Sequence, residues 1–532
     1  MNWFKKPNKP SFSWFRIGIL GLLILSLALR FWGLGRFNTL VFDEVYYAKF
    51  AHNYLSWTPF FDGHPPLSKY IIAVGMWLGS RSPLPQTDTN GLVGSLFAPW
   101  TYRWLNALIG SFIPLVTVGI AYQLTHRRSY AFIAGLFAAL DGLFLVESRY
   151  ALNNVHLVIF GLLGLWCLLL ALDSTRSLPR DGWLVLSGIC FGMSVSIKWN
   201  GLWFLLGAYG LWVCAQGNYQ FQSWYAQRSQ SMFQSTSEET TVLFATRTDT
   251  SEVTRIPEVI RQSPLEKLFR LSWWQVGLYL GIVPVLTYVL IWIPHLKLNA
   301  KSGFWKDFWA LQGEILSYHK RVGDGPNVHP YCSHWSSWLT MWRPVAYFYQ
   351  VTGKGDLLPT ERSLPPTTAE KVIYDVHAIG NPFLWWFSTI AILIVLIVLL
   401  WLLIKQTSKW VAVVEGIQQS PPRRAPWLVL SSTEQWLALF LAINYLANLL
   451  PWVRVTRCTF LYHYMGASVF ASMAVAWLVD RWLHSTQYNH RRTGIAVILI
   501  VVLAFLFWLP IYLGLPLSTW GFQLRMWFRS WV

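Results

Sequence analysis

Charged side chains are scarce in this sequence. Asp, Glu, Lys and Arg make up 12% of the 532 residues, whereas 54% of the residues are hydrophobic. Soluble domains contain about 25% charged residues, so the composition argues against a soluble globular protein. Uncharged runs such as 383–404 and 494–514 have the roughly 20-residue length that a helix needs to cross a bilayer. We therefore predict an integral membrane protein.

Several motifs that would assign another chemistry are missing. The sequence has no GxxxxGK[ST], no GxGxxG and no HExxH, the signatures of phosphate loops, dinucleotide sites and zinc peptidases. Its five cysteines form no CxxC metal spacing. We expect no cofactor and no required metal, because arginines can stabilise anionic charge in a site of this kind, and a divalent cation stays open as the alternative. The net charge of +18 is not gathered in a basic stripe typical of nucleic-acid binding. Membrane lipid headgroups are the expected partner of this charge.

The apolar runs predict an all-α polytopic membrane protein, a single domain over 1–532 with about eleven transmembrane helices. The predicted spans are 16–34, 101–123, 130–147, 154–172, 183–199, 201–215, 275–293, 383–404, 434–452, 460–480 and 494–514. Basic residues concentrate in short cytoplasmic loops. Every second connection carries such residues if the N-terminus is cytoplasmic: Lys5, Lys6, Lys9, Arg127, Arg128, Arg176, Arg180, Arg423, Arg424, Arg491 and Arg492. This predicts an inner-membrane protein with its N-terminus inside.

This topology divides the polar segments between the two sides. The extracytoplasmic side receives residues 35–100, with an Asp-Glu pair and an HPP motif, and the long loop 294–382. Within the first loop, the short apolar run 71–79 predicts a helix lying along the membrane interface. The cytoplasmic side receives 216–274, rich in Gln, Ser and Thr, which we interpret as a flexible insertion. We therefore expect the chemistry on the extracytoplasmic face.

Adjacent acids follow the first predicted span. Asp43 and Glu44 are candidates for function because acids near a membrane are costly to bury. Neighbouring residues point in different directions on a helix or a strand, so only one of the two is expected to face a reacting atom. The alternative is a solvated pair that caps a helix at Val45–His52.

A second group of candidates consists of basic and aromatic residues near the same membrane boundary. His64, in a stiff DGHPPLSK turn, is suited to hydrogen bonding with phosphate. The alternative, which the local sequence by itself favours, is a rigid loop that leads into the interfacial helix. Arginines at a membrane boundary need an anionic partner, either a lipid phosphate or one of the acids Asp43, Glu44, Asp141 and Glu147. The arginines are Arg30, Arg103, Arg149, Arg454 and Arg457. Among them, Arg30 lies inside the first predicted span, which favours a structural role. The aromatic group is Tyr462, His463 and Tyr464, for which simple anchoring at the membrane interface is the alternative.

Seven segments, in order, resemble the protein O-mannosyltransferases, lipid-carrier-dependent enzymes with a GT-C-type membrane fold. They include VFDEVYYAKF with HPPLSK, LDGLFLVESRYAL, GMSVSIKWNGL and WVRVTRCTFLYHYMG. The resemblance implies that Asp43 is the catalytic base and that Glu44 organises the site. It also implies that Arg103, Arg457, His64 and the Tyr462–Tyr464 group surround the carrier phosphate, with Arg30 and Arg149 in supporting roles.

The implied reaction moves mannose from a polyprenyl-phosphate carrier to Ser or Thr of an exported protein. A related transferase acting on a lipid or glycan is the alternative, and a transporter of lipid-linked sugars is a further one. The sequence departs from the family pattern at Asn154, where Asp is common, and at Cys458 and Gly466, where Pro is usual. Because Cys332 and Cys458 both fall outside the cytoplasm, they are candidates for a disulfide.

Overall fold

The computed structural model describes residues 14–240, 264–321, 323, 329–353, 371–414 and 430–532. Most of these residues are helical. In chain order the helices α1 to α20 are Trp14–Phe31, Glu44–Leu55, Leu67–Ser80, Pro99–Ser111, Ile113–Thr125, Arg128–Ala139, Gly142–Arg149, Asn154–Asp173, Ser177–Val195, Leu202–Thr240, Pro264–Phe269, Trp273–Gln275, Val283–Leu298, Phe304–Arg321, Trp335–Trp338, Pro382–Val414, Ser432–Leu449, Met465–Leu483, Tyr488–Leu513 and Thr519–Gln523. A π-helical segment, Val276–Ile282, joins α12 to α13.

Each of the eleven predicted spans lies largely on helix, which confirms the polytopic helical architecture. In the described ranges, seven helical segments are long and apolar enough to cross a membrane, and α6 with α7 adds an eighth if this pair, bent by 57°, is one span. The bend lies at Asp141, whose carboxylate accepts a hydrogen bond from the backbone of Phe144 at 3.1 Å and caps α7. The count of eleven stays a prediction.

The connections that follow α1, α13 and α17 meet at one end of the bundle. Phe42 stacks on Tyr347, and the backbone of Ser333 donates to Thr459 at 2.8 Å. We call this end, formed by residues 35–98, 455–464 and the described residues between 299 and 381, the loop face. The short helices α2 and α3 pack together here, and α3 begins at Leu67, before the predicted interfacial run 71–79.

Two features of the connections differ from prediction. The all-α prediction missed an antiparallel hairpin of β1, Val345–Gly353, and β2, Lys371–Ala378, although alternating aromatic and β-branched residues are typical of strands. In the first part of the predicted flexible insertion 216–274, α10 continues to Thr240, so this part is helical; the flexibility of the insertion stays a prediction. Extending an existing helix requires no new nucleus. The weak apolar periodicity of residues 216–240 therefore did not exclude a helix there. Residues 241–263 lie outside the described residues.

Candidate active site

The turn at Phe42 fixes the backbone that leads into Asp43. Phe42 has a φ of 51°, a left-handed conformation that non-glycine residues seldom adopt. Its ring stacks on Tyr347 with the centroids 4.2 Å apart and the planes 6° apart. Helix α2 then begins at Glu44, and Asp43 occupies the N-cap position without a capping bond from its side chain. Strained backbone that is held by packing is characteristic of functional sites.

The carboxylate of Glu44 is occupied on both oxygens by protein donors. Glu44 and Arg103 are both 0% exposed, and Nε and Nη2 of Arg103 donate to the two oxygens at 2.9 and 2.8 Å. The backbone N–H groups of Val41 and Ala151 each donate at 2.8 Å. The alternative of a solvated helix cap is therefore wrong, since Glu44 anchors the turn from within the protein.

The carboxylate of Asp43, unlike that of Glu44, is not occupied by protein hydrogen-bond donors among the described residues. Its side chain is partly exposed, and it accepts no side-chain hydrogen bond within the parts of the chain that are described. Burial raises the pKa of Asp43 to about 6; the Lys198 ammonium opposes this rise and the Asp62 carboxylate adds to it. The two acids do point in different directions, as predicted, and only Asp43 has a carboxylate able to accept a proton.

Lys198 contributes positive charge beside Asp43 and was not singled out from the sequence. Its Nζ donates to Oδ1 of Asn154 at 2.9 Å, and Nδ2 of Asn154 donates to both oxygens of Glu147 at 3.1 and 3.2 Å. An aspartate at this position would have no N–H to donate, so the departure from the family pattern allows one neutral side chain to bridge an acid and a base. The sequence did contain a signal for Lys198, because it lies at the end of an apolar run. A charged side chain is costly to place within a membrane and usually has a function there.

A β-bulge directs Tyr347 to the same network. The strand register shifts between Ala346 and Phe348, and bulges of this kind re-aim side chains next to active sites. The hydroxyl of Tyr347 donates to Glu147, which is 0% exposed. The hairpin that sequence analysis missed thus completes the hydrogen bonding of a buried carboxylate in this site.

The HPP turn is held by an ion pair that the sequence did not reveal. Nζ of Lys69 donates to the Asp62 carboxylate and, at 2.8 Å, to the backbone carbonyl of His64. The His64 ring lies 5.1 Å from the ring of His319 on α14. Burial, followed by the charge of Lys198, lowers the pKa of His64 well below its usual value. This shift favours the neutral imidazole of His64, which can donate one hydrogen bond.

Arg457 has no carboxylate partner among the described residues, and little of its guanidinium is bonded within the protein. Its only direct hydrogen bond there runs from Nη1 to the carbonyl of Cys458, at 3.1 Å. Burial lowers the pKa of Arg457, and the neighbouring Tyr462 and Tyr318 oppose this shift. A disulfide joins Cys458 to Cys332, with Cα atoms 5.2 Å apart, as suggested from the sequence. Arg457 is thereby tied to the long loop.

The remaining predicted residues divide between the site and its support. Tyr462 is 6% exposed, and its ring lies 5.3 Å from Nζ of Lys198. His463 packs instead between Trp338 and Trp452, and Nδ1 of His463 bonds to the backbone of Phe460. Tyr464 turns to the core, where its hydroxyl lies 3.1 Å from that of Tyr445. The structure therefore favours only Tyr462 of this group as a ligand of phosphate.

The assignment of Arg103 to the phosphate also needs correction. Besides holding Glu44, its guanidinium donates to the carbonyl groups of residues 34, 37 and 39 at 2.7–3.1 Å. Arg149 donates to the carbonyl groups of residues 29, 30, 32 and 33 at 2.7–3.2 Å, at the end of α1. Nη1 of Arg30 bonds to Oγ of Ser26 at 2.8 Å. Arg103 and Arg149 thus brace the backbone of the loop face, whereas Arg30 bonds within α1.

Loss of the disulfide is expected to destabilise the protein. It closes a separation of 126 residues, and removing a native disulfide costs about 2–5 kcal/mol. Cys332→Ser should therefore lower the melting temperature in detergent, whereas Cys214→Ser, a change at a free and half-buried cysteine, should leave it nearly unchanged. Alkylation of both Cys332 and Cys458 in non-reduced wild-type protein, detected by mass spectrometry, would contradict the pairing.

In the described parts of the chain, no group of three or more His, Cys, Asp or Glu side chains is arranged to hold a metal ion. The site instead combines one free carboxylate, Asp43, with the cations Lys198 and Arg457 and the neutral donors His64 and Tyr462. Such a set can accept a proton at one position and stabilise an anion at another.

Comparison with known proteins agrees with this chemistry. A family model described as dolichyl-phosphate-mannose-protein mannosyltransferase matches residues 21–246. A second, the C-terminal four-transmembrane region of protein O-mannosyltransferase, matches 304–531. The polyprenol-phosphate-mannose–protein mannosyltransferases of Mycolicibacterium smegmatis (strain MKD8) and Corynebacterium glutamicum are 24% and 22% identical. The alignments cover 93% and 99% of this chain and 88% and 96% of those proteins.

The fold is similar to that of a solved protein O-mannosyltransferase. The Saccharomyces cerevisiae Pmt1–Pmt2 complex bound to its sugar donor superimposes with a TM-score of 0.68, over 98% of this chain and 93% of the matched chain, at 14% sequence identity. At that identity the superposition establishes the fold alone. The two family models, over 21–246 and 304–531, together match most of the sequence. This chain therefore belongs to the protein O-mannosyltransferase family of GT-C-type membrane glycosyltransferases.

Proposed function

We propose that this enzyme transfers mannose from a polyprenyl-phosphate carrier to Ser or Thr hydroxyls of exported proteins, with inversion at the anomeric carbon. The observation that carries the proposal is the contrast between two adjacent acids. Glu44 is saturated by Arg103 and two backbone N–H groups, whereas Asp43 keeps a free carboxylate with a raised pKa. A general base is most effective when its pKa approaches the working pH.

In the proposed reaction the acceptor hydroxyl attacks the anomeric carbon as Asp43 takes its proton. The bond between that carbon and the phosphate oxygen breaks, and the electron pair leaves with the carrier phosphate. The leaving phosphate gains negative charge, which Arg457 and Lys198 stabilise electrostatically. His64, a neutral donor, and Tyr462 are positioned in the same region to hydrogen-bond phosphate oxygens. Glu44 acts through the turn that it anchors, so it is a positioning residue.

The orientation of the chain is part of this proposal. Arg127, Arg128, Arg176, Arg180, Arg491 and Arg492 lie at helix ends opposite the loop face, and short cytoplasmic loops favour basic residues. The Cys332–Cys458 disulfide lies on the loop face, and disulfides persist in oxidising compartments. Both observations support an extracytoplasmic active site in the inner membrane, where exported acceptor proteins are accessible.

The test is an assay of purified protein with radiolabelled polyprenyl-phosphate-mannose and a Ser/Thr-rich peptide. Label in the peptide, absent when all Ser and Thr are replaced by Ala, supports the proposal, and the anomeric configuration of the product reports inversion. Transfer of label to a lipid or glycan would favour the related transferase. The transporter would be favoured if well-folded protein transfers no label to any acceptor but moves the donor across vesicle membranes.

Replacing Arg457 by Gln is expected to weaken donor binding. A hydrogen bond to a charged group contributes about 1.5–3 kcal/mol, which corresponds to a loss of affinity of roughly 10- to 100-fold. Arg454→Gln is the matched control, because Arg454 is exposed and only three residues away. Titration of polyprenyl phosphate against both variants measures the difference. Equal affinities of the two variants would show that Arg457 does not bind the phosphate.

A further inference from the structure

An apolar groove lies where the ends of α1 and α3 meet the start of α4. It encloses about 580 Å³ and is lined by Phe31, Leu78, Leu84, Trp100 and Trp104, among others. This volume falls within the roughly 300–1,000 Å³ of small-molecule sites. The groove contains none of the residues assigned to the active site, so the transfer reaction does not account for it.

The lining of the groove suits a hydrocarbon chain. Nε1 of Trp104 donates to the carbonyl of Gly75 at 2.9 Å, and Nε1 of Trp100 to that of Pro85 at 3.3 Å. Because these indole N–H groups are already paired within the protein, the rings offer carbon surface to an occupant. A polar ligand would lose its hydrogen bonds to water here without replacement, which is unfavourable.

The groove also lies at the depth where lipid headgroups meet acyl chains. Phe31 is the last residue of α1, and Pro99 begins the span that contains α4 and α5. Both segments, Trp14–Phe31 and Pro99–Thr125, are long and apolar enough to cross the membrane. Their ends at the loop face therefore mark the membrane boundary, and Leu84, 57% exposed, lies at the mouth of the groove.

Basic side chains adjoin this lining. Arg81 lies in the chain between the lining residues Leu78 and Leu84. Its Nη1 donates to the carbonyl of Trp77 at 3.3 Å, and its Cζ lies 4.6 Å from the centre of the Trp77 ring. These contacts hold the exposed guanidinium in place and leave other N–H groups for a ligand. Arg36 follows the lining residue Gly35, and its Cζ lies 4.8 Å from the centre of the Trp32 ring.

We propose that this groove binds one anionic phospholipid of the leaflet at the loop face. An acyl chain lies against Trp100, Trp104 and Leu78, and the headgroup phosphate is bound by Arg81, with Arg36 adding positive charge. Because guanidinium groups adjoin the apolar groove, an anionic phospholipid is favoured over a zwitterionic one. The lipid braces the end of α3, whose other end carries the Lys69 side chain that holds the HPP turn.

The test uses the full chain in nanodiscs containing phosphatidylglycerol and phosphatidylcholine, each in turn carrying a photoactivatable diazirine in an acyl chain. Mass spectrometry maps the labelled peptides. We expect phosphatidylglycerol to label segments 31–36, 78–84 and 100–104 about fivefold more than phosphatidylcholine, the selectivity that one interfacial arginine provides. Arg81→Gln should remove most of this preference, and Lys320→Gln, at an exposed lysine on α14, should not.

A second variant tests the groove itself. Leu84→Trp fills the mouth at an exposed position, where the change is not expected to impair folding, and should reduce labelling of all three segments. The proposal is overturned if both lipids label these segments equally, or if neither variant changes the labelling. It is also overturned if unlabelled polyprenyl phosphate displaces the probe and unlabelled phosphatidylglycerol does not, because the groove would then hold the donor's chain.

Discussion

Asp43→Asn is expected to lower turnover by at least about 100-fold, the typical contribution of a positioned general base. Asparagine keeps the shape of aspartate and removes its ability to accept a proton. Binding of the donor should survive, since removing a negative charge near Lys198 and Arg457 does not weaken their attraction to phosphate. Turnover and donor affinity, measured on one detergent preparation, separate these two effects.

The pH profile of the wild-type enzyme provides an independent check on Asp43. Its carboxylate accepts a proton only when ionised, and burial raises its pKa to about 6. Turnover should therefore fall tenfold per pH unit below about pH 6 and level off above it. The residual activity of Asp43→Asn should not show this decrease at low pH. If Asp43→Asn turns over at the wild-type rate while Glu44→Gln binds donor but is inactive, Glu44 is the base.

The stability of Asp43→Asn distinguishes a functional acid from a structural one. The pKa of Asp43 in the folded protein lies above its ordinary value of 3.8, so its ionised form destabilises the fold at any pH above about 6. That penalty disappears at pH values below the unfolded pKa. Removing the charge should therefore leave the melting temperature at pH 7 unchanged or raise it. A marked decrease would indicate that Asp43 supports the structure.

Glu44→Gln is expected to cause the largest loss of stability. The change leaves the charge of Arg103 buried without a counterion, and breaking a buried ion pair costs about 3–5 kcal/mol. The melting temperature in detergent should fall by several degrees, and activity should fall with it because the turn before Asp43 loses its anchor. Asp43→Asn is the matched control, one residue away with the same change of chemical group.

The partner of Glu44 can be identified by a double-mutant cycle. Arg103→Gln should be as damaging as Glu44→Gln, and the double variant should lose less stability than the sum of the two, with a coupling of roughly 0.5–3 kcal/mol. Additive losses would mean that the two side chains act independently. A wild-type melting temperature for Glu44→Gln would mean that the carboxylate does not anchor the turn.

The main lines of the architecture were predictable because they depend on local properties. A run of about 20 apolar residues specifies a membrane helix whatever surrounds it, and every predicted span coincides largely with helix. The HPP motif and the acidic pair were recognisable as short patterns. The hairpin was missed because its two strands, β1 and β2, are separated by 17 residues and have no tight-turn signal between them.

The roles of individual side chains were less predictable. Arg103 and Arg457 are similar in the sequence, both basic and both beside apolar runs, yet one is fully buried on Glu44 and the other has no carboxylate partner among the described residues. Tyr462 and Tyr464 are two positions apart and face different surroundings. The roles of Lys198 and Asn154 depend on the hydrogen bonds that connect them to Glu147. These differences arise from which surfaces meet after folding.

By itself the sequence determined the membrane class, the order of the helices and the short motifs that place Asp43, Glu44 and His64 at one boundary, because each of these follows from residues that are neighbours in the chain. Only the tertiary structure decided which of the two acids is free. Three of the four hydrogen bonds that saturate Glu44 come from positions 59 and 107 residues away. Contacts over such separations depend on helix packing, which leaves no local pattern in the sequence.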